Sequence, residues 1–231
     1  MKKQLFKKTS IYENTATVGG YNSTRYTYIN GYYEAGKELV NISISEQVGT
    51  YKKDTLFYPI CYSYRHYIEL HLKSLIIDTE ILYDKMDTLG YLKNGTLSKR
   101  ISDELDNTHN LNELFELFYE RLNLVSDEKF SNDIKKYIKQ MYDMDRNGQR
   151  FRYHTGTNKK INFSEQEQFD LKNISTIMKE IHDLLGGVDG WLDHYIQMSN
   201  DIIHEYEAEM RLEMEQEMRL EMEQEMRNYY Y

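Results

Sequence analysis

Apolar residues recur along this chain at three- and four-residue intervals, the spacing of one face of an α-helix. Tyr32, Ala35, Leu39 and Ile42 mark a first helix. Pro59 suits the opening turn of a second, where its missing N–H costs nothing, and that helix runs to about Tyr83. Leu111, Leu114, Phe115, Phe118, Leu122 and Val125 form the cleanest stripe, and Ile134, Tyr137, Ile138 and Met141 form a shorter one. Ser164 and Glu167 have the spacing of a capping box ahead of Ile174, Ile177, Met178, Ile181 and Leu185. Gly186, Gly187 and Gly190 are expected to interrupt that run, and Trp191 to open a last long helix with Leu192, Tyr195, Ile196, Ile203 and Tyr206 facing inward. No two segments read as paired strands. The pattern predicts an all-α helical bundle with a long projecting C-terminal helix. Its parts are an N-terminal arm over 1–27, a bundle domain over 28–206 and an acidic, Met-rich helix over 207–231.

Composition sharpens this picture mainly at the C-terminus. The net charge is −9, and residues 205–227 hold nine Glu against three Arg, so this tail carries −6 and the rest of the chain only −3. The octapeptide EMRLEMEQ at 209–216 repeats at 217–224. Its Met and Leu residues alternate, which alone would suggest a strand. Glu, Met, Arg, Leu and Gln are strong helix formers, however, and Glu207–Arg211, Glu215–Arg219 and Glu223–Arg227 are i,i+4 pairs in the favourable order, so a helix is expected. Methionines on more than one face suit it to a protein partner. The single cysteine, Cys61, rules out an internal disulfide and a cysteine zinc site. There is no secretory h-region and no apolar run of membrane-spanning length, so a soluble, cytoplasmic protein with no membrane association is expected.

Candidate chemistry concentrates in YRHYIELHLKSLI, residues 64–76. On a helical wheel Ile60, Tyr64, Tyr67, Ile68, Leu72 and Leu75 share a broad apolar face with His71 in its middle. Arg65 and Glu69 sit together on the polar flank as an i,i+4 ion pair, and His66 and Lys73 lie further round, towards water or a partner. By this reading His71 is a buried, neutral, hydrogen-bonded histidine. His66, His71 and Glu69 are also possible metal ligands by residue type, but the wheel turns His71 away from the other two.

The succession GYYEAGKELV, YRHYIELHLKSLI and THNLNELFELF, within residues 28–125, resembles the HEPN superfamily of helical domains. The resemblance implies a HEPN-like bundle, and its members include RNA-cleaving toxins and phage-defence effectors. Their activity is carried by an Arg followed after four to six residues by a His, a spacing matched here by Arg65 and His71. What this implies is a metal-independent endoribonuclease with Arg65, His66 and His71 as candidate catalytic residues, acting as a homodimer. Helical geometry sets Arg65 and His71 about 120° apart, which weighs against a joint site.

A second candidate is RNGQRFRYHTGTNKKINFS at 146–164, with five cations and no acid in 19 residues. Arg146, Arg150, Arg152, Lys159 and Lys160, interleaved with Phe151, Tyr153 and His154, suit a phosphate backbone and stacked bases, so Arg146, Arg150, Arg152, His154, Lys159 and Lys160 are candidate RNA-binding residues. The alternative for this stretch is a solvated loop, or one paired with acidic helices of its own chain. No nucleotide-binding glycine loop, H-E-x-x-H or G-x-S-x-G occurs, and neither a cofactor nor a metal is expected. Two functions stay open: a HEPN-like protein acting on or binding RNA, and a non-catalytic adaptor that binds a protein partner through its C-terminal helix. What separates them is whether Arg65 or Arg152 meets a histidine in space.

Overall fold

In the computed structural model, which describes residues 5, 15–45, 49–92, 97, 105, 107–127 and 132–230, the chain is all-helical. Residues 1–4 and 6–14 of the expected N-terminal arm lie outside these residues. Among the described residues five α-helices follow one another: α1 (Arg25–Ile44), α2 (Thr50–Thr88), α3 (Leu111–Val125), α4 (Asn132–Met144) and α5 (Leu171–Tyr230). Among the described residues the one β feature is an isolated antiparallel bridge, Thr155–Ile161. No helix among them is long and apolar enough to cross a membrane.

The central element is α2. Ile60, Tyr64, Tyr67, Ile68, Leu72, Leu75 and Ile76 along it are fully buried, against α1 and α5 on one side and α3 on the other. The α3 stripe is buried as the periodicity predicts, all six residues of it. A second buried link joins the two helices, where Arg121 on α3 lies 3.4 Å from Glu80 on α2. In α4 the stripe is split: Ile134 and Ile138 are buried, while Tyr137 and Met141 pack at the margin.

Side-chain caps set several helix starts. The Thr24 hydroxyl accepts from the Thr27 amide, and the Asn110 carbonyl oxygen accepts from the Asn112 and Glu113 amides.

Local structure departs from the pattern at five places. In α1 the buried face is Ile29, Tyr33, Gly36 and Val40, one position on from the expected stripe; Ala35 and Ile42 are exposed. Gly36 decides the register, since a Cβ there would lie 2.7 Å from the Tyr64 ring. Pro59 sits inside α2 and not in its first turn. The carbonyl its ring deprives of a donor is that of Thr55, an exposed residue, so water can satisfy it. Ser164 and Glu167 do not cap α5. Phe163 and Phe169 pack on Phe57 and hold that stretch off-helix, and Asp170 caps instead, accepting from the Lys172 and Asn173 amides.

The glycines do not interrupt α5, which runs unbroken for 60 residues, about 90 Å. Leu185 and Leu192, buried on either side of the glycines, hold the helix through them. Of the residues expected to face inward beyond Trp191, Leu192 is buried and Ile196 and Ile203 are half-buried, but Tyr195 and Tyr206 are exposed.

Candidate functional site

The Arg65–Glu69 pair forms as expected, with Nη1 donating to Oε2 at 2.8 Å, but it is buried and not on an exposed flank: Arg65 is 2% exposed and Glu69 4%. Two loops cover it. Arg65 Nη2 donates to the His109 carbonyl at 2.7 Å, just ahead of α3, and Nε donates to the Asp145 carbonyl at 3.1 Å, just after α4. The Asp145 carboxylate in turn accepts from the Gln149 and Arg150 amides and lies 3.5 Å from Arg65 Nε. Gly148 closes over the guanidinium, where a Cβ would come within 3.0 Å of Cζ. Arg65 is thus a pin that fastens both loops to α2, and its buried guanidinium is spent on its own chain.

Glu69 has three cationic or N–H partners. Besides Arg65, Oε1 takes the His109 Nδ1 at 2.8 Å and the Lys73 Nζ at 3.1 Å. Burial pushes its carboxyl upward, but the His109 and Arg65 hydrogen bonds and the Lys73 charge outweigh that and hold it at about 2.

His71 lies elsewhere. It is 4% exposed, and its Nδ1 is 2.9 Å from the Tyr67 hydroxyl, which also meets His182 Nδ1 at 3.0 Å. One hydroxyl can donate to one ring and accept an N–H from the other, so a single tyrosine can bridge the two histidines. Burial, with His182 as the lesser contribution, lowers His71 to about 4. Arg65 and His71 therefore face different surroundings on α2 and are not brought together.

His66 is half-buried between two tyrosines, edge-on to Tyr32 at 4.4 Å and stacked with Tyr62 at 5.7 Å. Burial lowers its basicity; Glu69 opposes this, while Arg65, Lys73 and Arg152 add to it.

The basic segment divides in two. Arg150 is used internally: it donates to the Asn162 and Met144 carbonyls and lies 4.2 Å from the Phe163 ring centre. Arg146, Arg152, His154, Lys159 and Lys160 are exposed. The hairpin that presents the last three is built locally. The Asn162 amide donates to the His154 carbonyl, the Gly156 amide to the Lys160 carbonyl, and Lys159 adopts φ 62 at its tip.

Arg152 ties this hairpin to α2. Its Nε donates to the Gly148 carbonyl, and its guanidinium lies 5.7 Å from the Tyr62 ring centre and 5.5 Å from that of Tyr153. Tyr58, Phe151, Arg152, Tyr153, His154 and Phe163 line a concavity of about 360 Å³ beside it. A larger hollow next door, about 670 Å³, is lined by Asp54, Glu165, Glu167 and Asp170 against Lys53 and Lys172, a charge balance that disfavours phosphate.

No family model matches the chain, and no curated protein or solved structure matches it.

Of the sequence-nominated residues, the structure gathers Arg152 with His66 across Tyr62, leaves Arg150 and Arg65 in structural roles, and separates His71. His109, Lys73, Asp145 and Tyr62 complete the picture. Lys73 was legible as an i,i+4 partner of Glu69; the meeting of His109 with Glu69, 40 residues apart, had no local signal.

Proposed function

We propose that this is a HEPN-like helical protein that binds single-stranded RNA, with the toxin or phage-defence setting that the resemblance implies. The observation that carries the reading is Arg152: its guanidinium lies over two tyrosine rings at the edge of an aromatic concavity, with the exposed cations of one hairpin beside it. Cationic and aromatic groups in one surface serve the two halves of a nucleotide, phosphate and base, without reading its sequence. Tyr58 and Tyr153 offer exposed rings; Arg152, Lys159 and Lys160 offer charge. The overall acidity of the chain does not oppose this, because most of it belongs to the C-terminal tail.

Ultraviolet cross-linking of a short uridine-rich RNA, followed by peptide mapping, tests the reading. Adducts at Tyr58, Tyr62 or Tyr153 are the expected result. No adduct, or adducts confined to residues 204–230, would reject it.

A second reading, the helical adaptor, has one observation in its favour. Residues 204–230 continue α5 with every side chain exposed, including Met210, Leu212, Met214, Met218, Leu220, Met222 and Met226. An apolar-studded helix without a partner among the described residues suits a protein ligand. The adaptor predicts neither RNA adducts nor RNA cleavage.

A further inference from the structure

Between α4 and α5 the core is incompletely filled. The buried residues of α4 are Ile134 and Ile138, while Tyr137 and Met141 stop at the margin. Beside them lies a cavity of about 170 Å³. Its floor is Cys61 on α2, Met178 and Ile181 on α5, and Phe151 from the segment that joins α4 to α5, all of them buried. Half-buried Phe57, Met141, Met144 and Ile177 form its walls. Among the described residues no charged side chain lines it, unlike the two hollows described above. Burial pushes the Cys61 thiol up to about 12, so it stays protonated and adds no charge. The other polar groups at the cavity are the Tyr137 hydroxyl and the amides of Gln140 and Asn173, both exposed residues at its rim.

This lining selects a kind of guest. An ion would lose its hydration here with no counter-charge in return, so a charged ligand is disfavoured. Ordered water needs two to four polar partners, which the floor and walls do not supply, whereas an apolar void on the order of 150 Å³ stays dry and accepts a benzene-sized molecule. Aromatic character is favoured over aliphatic. Phe57 already packs edge-on to Phe151 at 6.0 Å and stacks with Phe169 at 4.8 Å, so a further ring can join this cluster in either geometry. Met141 and Met178 add polarisable sulfur, which makes favourable contacts with rings and adapts to their outline. The rim amides can hydrogen-bond one polar atom of the guest and so orient it.

We infer that this cavity is a binding site for a small, flat, uncharged aromatic molecule of one or two fused rings. The site is separate from the proposed RNA face, although Phe151 lines both, and the inference does not depend on RNA binding.

Indole is the probe, titrated into full-length protein whose methionine methyl groups carry carbon-13. Met141, Met144 and Met178 line the cavity, while Met210, Met214, Met218, Met222 and Met226 are exposed on the tail and report loose association with any apolar surface. The three cavity methyls should shift along one saturating curve, with a Kd on the order of 1 mM or tighter, and the tail methyls should stay in place. Ile177→Phe sets a protein ring in the same space and should weaken indole binding at least about tenfold. The inference is overturned by the absence of a saturable shift at the cavity methyls, by equal shifts at cavity and tail methyls, or by unchanged affinity in a folded Ile177→Phe protein. If that variant does not fold, the wild-type methyl map decides alone: saturation confined to the cavity methyls supports the site, and any other pattern rejects it.

Discussion

Arg65 and Glu69 show what a buried ion pair does when its partners come from three parts of the chain. The pair joins α2 to the loops before α3 and after α4, and its geometry leaves each charge hydrogen-bonded. Removing Arg65 would leave Glu69 desolvated without its buried guanidinium partner. Arg65→Met should therefore cost about 3–5 kcal/mol in urea unfolding; a loss below about 1 kcal/mol would mean that the loops do not depend on it. Acid should weaken the same region. The folded-state value of Glu69 is depressed to about 2, so its contribution is complete above its unfolded value, about 4.3, and fades as pH falls towards 2.

His71 acts over a higher window. Its folded value is lowered to about 4 from 6.5, so between those values the unfolded chain binds a proton that the folded chain refuses, and stability falls as pH drops. His71→Leu should remove this sensitivity. Wild type should lose thermal stability between pH 6.5 and 4.5 by more than the variant does, with His182 contributing the remainder in the same direction. Equal losses would contradict the burial account. The burial of His71 was legible from a wheel, because its apolar neighbours are local in sequence. The burial of Arg65 was not, because the loops that cover it lie 44 and 80 residues away.

Among the elements, α1 and α5 teach the most. In α1 the stripe was read one position off, because tyrosines flank both candidate faces and only the space needed by Tyr64 chooses between them. Gly36→Ala should accordingly destabilise by about 1–3 kcal/mol through overpacking. The glycines of α5 meet open space, so Gly186→Ala and Gly187→Ala should each stabilise by about 0.5–1 kcal/mol, the ordinary helix-interior difference. Thermal melts of the three variants compare these opposite signs directly. The punctuation rules that place a break at a glycine pair describe short-range preference, and packing on both sides of the pair overrides it here. The α3 stripe was legible because it is strongly amphipathic; the projecting tail was legible because its strong helix formers and i,i+4 pairs outweigh the alternation of its Met and Leu residues.

At the scale of the molecule, a folded bundle carries a basic–aromatic surface near the start of α5, and a bare acidic helix extends from its end. Among the described residues the tail makes no contribution to the core. Deleting residues 209–231 should leave the melting temperature within about 2 °C of wild type, since exposed surface changes stability by only about 0.5 kcal/mol; loss of a cooperative transition would place the tail in the fold.

The claim on which the functional account turns is that the hairpin cations contact RNA phosphates. The salt dependence of affinity measures this most directly. Binding of a fluorescent single-stranded RNA should be followed by anisotropy from about 50 to about 300 mM salt, for wild type and for Arg152→Gln, Lys159→Gln and Lys160→Gln combined. Each lost phosphate contact should reduce the slope of log affinity against log salt by about 0.7, so the triple variant should bind more weakly with a slope shallower by about 2. An identical slope in the two proteins, or no binding by wild type even at the lowest salt, would contradict the account.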